Sequence, residues 1–185
     1  MVVEVMGRRS GWIAAHAGLA GGADLIIVPE RPCLEPEMVE KIKRAKEKGQ
    51  SSFLVVVAEG AFFKRSEDAQ PELVLANQTP DAFGRPRLGG AGHHVAQLIE
   101  ARVGLESRVT VLGHVQRGGA PTSRDRVLAL RLGVVAQDLI DEQKFGEMVS
   151  LQATRITSVT LKDATAERKA LPSEWLDTVE RFTLN

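Results

Sequence analysis

Short apolar runs, rich in β-branched residues, recur along the chain at intervals that a helix would fill. They are Val2, Val3 and Val5, then DLIIVP at 24–29, FLVVVA at 53–58 and RVTVL at 108–112. Runs this short, bounded by turn formers, predict strands buried on both faces, as in a parallel sheet. The segments between them carry helical signals. WIAAHAGL, within Gly11–Leu19, predicts a buried helix closed by Gly21-Gly22. Pro36 opens a second helix over about 36–48, where Met38, Ile42 and Ala45 form one apolar stripe and Gly49 ends the pattern. Gly89-Gly90 opens a third, over about 91–102, with Val95, Leu98 and Ile99 on one side. Residues 61–87 predict a long polar loop with weak helical character around Glu72–Leu75, and a loop of that length in a compact domain is usually functional or mobile.

Thr122 and Asp125 have the spacing of a capping box, which predicts a long helix from about 123 to 141. MVSLQ and RITSVTL predict a closing pair of strands, and a short helix is expected around Pro172–Phe182. Strands alternate with helices four times, so the fold class is α/β: three layers around a mainly parallel, Rossmann-like sheet. No repeat, low-complexity tract or linker interrupts the pattern, and the expectation is a single α/β domain over 1–185.

Composition narrows the function classes. Lys+Arg and Asp+Glu are both 24 in 185 residues, so no global field draws the chain to nucleic acid or an anionic membrane. Aromatic residues make up 4%, too few for a base-stacking platform. The single cysteine, Cys33, excludes an intramolecular disulfide, and no apolar run spans a bilayer. With no signal-peptide pattern at the start, the expected compartment is the cytoplasm.

In a parallel sheet, ligands bind outside the carboxyl ends of the strands. Here those ends carry Met6-Gly7-Arg8, Glu30, Glu59-Gly60, and His114 with Arg117. LGHVQRGG at 112–119 has two readings: a phosphate site built from charged donors and bare backbone, or a turn that carries polar residues. From Arg108 to Arg126 there are four arginines, no lysine and one acid, Asp125, which favours the phosphate. Arg124 and Arg126 are read as a solvated helix face. His114 is either a core histidine or a phosphate partner. Glu59 either caps a turn or pairs with a neighbouring arginine, or it accepts from substrate hydroxyls, and Glu30 is read as structural. His16, His93, His94 and Cys33 lack metal-ligand spacing and are read as packing or surface residues, so no metal site is expected within the chain. Gly90-Ala91-Gly92 follows no strand and lacks the third glycine of a dinucleotide loop.

Taken together, VVEVMGRRSGW at 2–12, AGGADLIIVPE at 20–30, VVVAEG at 55–60 and RVTVLGHVQRGGAPTSRDRVLALRLG at 108–133 resemble the C-terminal part of the 6-phosphofructokinase family. The resemblance runs in order from residue 2 to about 152 and is less clear beyond. It implies that Arg117 and His114 hold the 6-phosphate of fructose 6-phosphate. Arg108 would reach that phosphate from an adjacent subunit, which requires a homo-oligomer. Glu59, Met6 and Gly7 would position the sugar, and Arg8 would stabilise the phosphoryl group in transit. It further implies transfer from ATP with Mg2+ in glycolysis, with pyrophosphate as the alternative donor.

The family's glycine-rich donor loop and its aspartate motif, which supplies the base and the magnesium site, have no counterpart here. The expectation is therefore a truncated frame or an excised half that keeps part of the sugar-phosphate site and is inactive alone. A non-catalytic sugar-phosphate-binding module is the competing reading. At the family's effector site one lysine is replaced, since the segment reads Lys48-Gly49-Gln50, while the acid that helps hold the effector's metal persists as Asp24. Weak or absent control through that site is expected.

Overall fold

The structure, a computed structural model, describes residues 1–77, 84 and 87–183. The chain forms two compact units: residues 1–117 with 170–185, and residues 118–169. The first is built on four strands, β1 (Val2–Val5), β2 (Leu25–Ile27), β4 (Val55–Ala58) and β9 (Val109–Val111), all parallel in the order β2-β4-β1-β9. Successive side chains of a strand face opposite ways. Val55 and Val57 accordingly pack with Met38, Ile42, Val95 and Ile99, on α2 (Glu35–Glu47) and α3 (Ala91–Val103). Val56 and Ala58 pack on the other face with Ala14 and Ala15 of α1 (Trp12–Ala20) and Val179 of α6 (Ser173–Phe182). The strands β1, β2 and β4 are covered on both sides as expected, whereas β9 is an edge strand whose Thr110 and Val111 are exposed, so the expected two-sided burial fails there.

The expected stripe on α2 is buried at Met38, Ile42 and Ala45. Between Ala61 and Arg87 the structure corrects the sequence reading. No helix forms at Glu72–Leu75. Instead β5 (Phe62–Lys64) runs parallel to β3 (Cys33–Leu34) and antiparallel to β6 (Glu72–Leu73), and β7 (Leu75–Asn77) pairs with β8 (Arg87–Leu88). Each strand is too short to carry a local period. Long-range pairing and the burial of Phe63, 2% exposed, fix them instead. The rest of that expected loop, residues 78–83 and 85–86, lies outside the described residues.

The second unit contains α4 (Ser123–Asp141), the hairpin β10 (Glu147–Gln152) with β11 (Arg155–Thr160), and α5 (Leu161–Ala166). The capping box is complete: Thr122 Oγ1 accepts from Asp125 N at 3.2 Å, and Asp125 Oδ2 accepts from Thr122 N at 2.9 Å. Arg124 and Arg126 are exposed on α4. The strand read through Leu161 stops at Thr160, because its Oγ1 caps α5 by accepting from Asp163 N at 3.1 Å. Hydrogen bonds from the Thr122 N–H and hydroxyl hold the Asp125 carboxyl below its ordinary value of 3.8. A lowered folded-state pKa stabilises above the unfolded value, and that contribution is lost as pH falls through the folded one. Thr122→Ala removes the hydroxyl bonds and keeps the backbone one, so it is expected to lower the melting temperature at neutral pH, and by somewhat less as pH falls through the folded-state value, read by thermal melts across pH.

Candidate functional site

The parallel order places the carboxyl ends of β1, β4 and β9 side by side. β1 continues into a turn closed by Ser10 N donating to Gly7 O at 2.7 Å, with Arg8 in the left-handed region at φ 46°. β4 continues its ladder through Glu59 N to Val5 O at 2.8 Å and then turns at Gly60. That glycine is required by space: a Cβ on it would lie 1.4 Å from Arg8 O. The Glu59 carboxylate faces the same turn, and its Oε1 accepts from Gly7 N at 3.4 Å and Arg8 N at 3.2 Å. Glu59 thereby anchors the Met6–Arg8 turn, the first of the roles its position allowed.

β9 joins the same edge through Leu112 N to Glu4 O at 3.1 Å. The chain then winds into a 3-10 turn over Gly113–Arg117 that carries His114 and Arg117. Both side chains are exposed and make no hydrogen bond or ion pair with the described residues. Two cationic-capable donors on one turn, without partners among the described residues, are suited to an anion, and the guanidinium can grip a phosphate at two points. Met6, Gly7, Arg8, Glu59, His114 and Arg117 thus lie on segments that meet at one end of the sheet.

Arg108 does not join them. It precedes β9, at the amino end, where its carbonyl accepts from Val2 N at 2.8 Å and its Nη2 is 3.4 Å from Glu106 Oε1. A strand rises roughly 3.3 Å per residue, which puts it on the order of 15 Å from the 3-10 turn. Within one chain it cannot serve the same anion.

Three residues with organising roles carry no assignment in the sequence reading. Gln116 Oε1 accepts from Met6 N at 2.7 Å, joining the end of β1 to the 3-10 turn. Glu4, 3% exposed, accepts from Gly92 N at 2.8 Å and Gly90 N at 3.3 Å, placing a carboxylate at the amino end of α3. Gly60 is the third. A charged residue in the middle of VVEV was the available signal for Glu4, whereas the Gln116 contact spans 110 positions and leaves no local trace.

Other acids serve the framework. Glu30 accepts from Gly11 N at 3.0 Å and Leu171 N at 3.0 Å, in keeping with its structural reading. Asp24 accepts from Gln50 Nε2 at 2.6 Å and Leu54 N at 2.7 Å, so both of its oxygens are engaged. His94 Nε2 lies 2.8 Å from Glu35 Oε1 and its ring meets Phe63 edge-on, while His16 stacks on Trp175. Burial, then Glu35 and Glu37, push the Cys33 thiol up to about 12, which leaves it unreactive at neutral pH. Among the described residues no group of three His, Cys, Asp or Glu could hold a metal ion, and no helix is long and apolar enough to cross a membrane.

Known proteins share both sequence and fold with this chain. Residues 1–140 match the phosphofructokinase family. A pyrophosphate–fructose 6-phosphate 1-phosphotransferase of Amycolatopsis methanolica is 50% identical over 98% of this chain and 52% of its own length. An ATP-dependent 6-phosphofructokinase of Mycobacterium tuberculosis is 42% identical, with the same coverage of both chains. The crystal structure of Pichia pastoris phosphofructokinase superposes with a TM-score of 0.67 at 32% identity, covering 99% of this chain and 19% of that one. The chain spans about half the length of the curated relatives it matches. With a family match over three-quarters of its residues, and motifs that gather at one sheet edge, this chain belongs to the phosphofructokinase family.

Proposed function

We propose that this chain carries the sugar-phosphate site of a 6-phosphofructokinase, which transfers a phosphoryl group to fructose 6-phosphate to give fructose 1,6-bisphosphate. The observation that supports this most is the pairing of His114 and Arg117, both without partners among the described residues, with the Met6–Arg8 turn on the adjoining strand end. In this reading the His114 and Arg117 side chains neutralise the 6-phosphate. Glu59 uses Oε1 to hold the turn and offers its other oxygen to a sugar hydroxyl. Met6 and Gly7 shape the sugar's seat, and Arg8 stabilises negative charge on the group in transit. Phosphoryl transfer depends mainly on such placement and on neutralising spread charge.

Arg108, at the opposite end of its strand, would act on the phosphate of a second copy, so the complete site would be oligomeric. The donor, its magnesium and the catalytic base would be held by the part of the family's length that this chain does not span. The chain alone would then bind sugar phosphate without turnover, and its compartment would be the cytoplasm. ATP is one candidate donor. Pyrophosphate is the second, favoured by relatives of that name at 50% and 49% identity.

Calorimetric titration of the chain with fructose 6-phosphate tests the reading, with fructose as the control. Binding of the phosphorylated sugar alone is expected. Equal heats from both sugars would refute a phosphate-directed site, and rapid turnover with ATP and magnesium would refute the division of labour.

A further inference from the structure

The hydrogen bond between Gln116 and Met6 joins two segments to which the proposed site gives different tasks. Met6 begins the turn that carries Gly7 and Arg8, and Gln116 sits within the 3-10 turn that carries His114 and Arg117. Only the side-chain oxygen of Gln116 can receive a main-chain N–H, so the 2.7 Å contact fixes the direction of the amide as well as its position. The Met6 N–H lies one residue beyond the end of β1. The neighbouring Gly7 and Arg8 amides are held from the β4 side by Glu59. The turn is thus clamped from two strands, by Glu59 on one side and Gln116 on the other.

We infer that Gln116 is a positioning residue that locks the Met6–Arg8 turn to the His114–Arg117 turn. Its geometry stands by itself, and its consequence for ligand rests on the sugar-phosphate reading above. A ligand that touches both turns gains from having them held at one separation, because the second contact is then made at high effective concentration. A ligand that touches only the phosphate side gains nothing from the lock. Fructose 6-phosphate is the first kind of ligand and inorganic phosphate is the second.

The experiment uses the whole chain with Gln116→Met, which keeps the bulk and removes the acceptor, and Gln116→Glu, which keeps an acceptor of the same reach. In the ligand-free chain, hydrogen exchange at the Met6 amide is expected to rise about tenfold in Q116M and to return to the parent rate in Q116E. Affinity for fructose 6-phosphate is expected to fall about tenfold in Q116M, while that for inorganic phosphate stays within about twofold. Unchanged Met6 exchange in Q116M, or equal losses for both ligands, would overturn the lock. If the parent chain binds neither ligand, the sugar-phosphate reading fails and the exchange rates alone decide: faster in Q116M and restored in Q116E sustains the lock, anything else removes it. Should Q116M fail to fold, Gln116→Asn, one methylene too short to reach Met6, takes its place.

Discussion

Arg117→Ala is expected to weaken fructose 6-phosphate binding by roughly 10- to 150-fold, the loss of one charge-assisted phosphate contact of about 1.5–3 kcal/mol. The size follows from what surrounds the guanidinium. It is exposed and has no partner among the described residues, so its charge is uncommitted until an anion arrives. For the same reason its removal leaves no buried group unsatisfied, and the melting temperature is expected to stay within about 2 °C of the parent. Arg44, paired with Glu40 on α2, provides the control, since Arg44→Ala removes an equal charge from an exposed helix. Calorimetry on the three proteins decides the matter: a weakening shared by Arg44→Ala would mean that only net charge is being read.

Gly60→Ala should have the larger structural effect. The added methyl would sit 1.4 Å from the Arg8 carbonyl oxygen, well inside contact distance, and the obstacle is main chain rather than a flexible side chain. Arg8 is already at φ 46°, in a conformation that a residue with a Cβ adopts at some cost, so it has little freedom to yield. Either the turn or β4 must move, and Glu59 loses its alignment with the Gly7 and Arg8 amides in both cases. A loss of about 3 kcal/mol is expected, with a melting temperature lower by roughly 6–12 °C and no measurable fructose 6-phosphate binding. A variant that melts within about 2 °C of the parent would show that the two turns do not pack as described.

The two substitutions separate what the site depends on. Arg117 contributes charge to a surface that folds without it, whereas Gly60 contributes the absence of atoms that lets two strand ends approach. Gln116 stands between these cases, since its bond is both a fold contact and the link between the Met6–Arg8 turn and the turn that carries His114 and Arg117.

Much of the architecture was legible before any coordinates. The runs at 2–5, 25–27 and 55–58 are strands because β-branched residues in short apolar stretches suit a sheet covered on both faces, and 109–111 adds an exposed edge strand of the same composition. α4 begins where Thr122 and Asp125 predict, because a capping box is a contact between residues three apart and needs nothing from elsewhere. The rim residues Met6, Arg8, Glu59 and His114 could be picked out since each lies within three positions of the end of a short apolar run, and in a parallel sheet such positions share an edge.

Other features depended on residues far away in the chain. β5 to β8 have no period of their own and exist through pairing, Phe62 with Leu73 and Leu75 with Leu88. The order β2-β4-β1-β9 sets the end of β1 between those of β4 and β9, which lie far from it in the sequence. Local rules determined which stretches became strands and helices, for the energies involved lie between near neighbours. Which side chains came to face one another, among them Gln116 with Met6, Glu30 with Leu171 and Gly60 with Arg8, was decided by tertiary packing, whose contacts obey no fixed spacing along the chain.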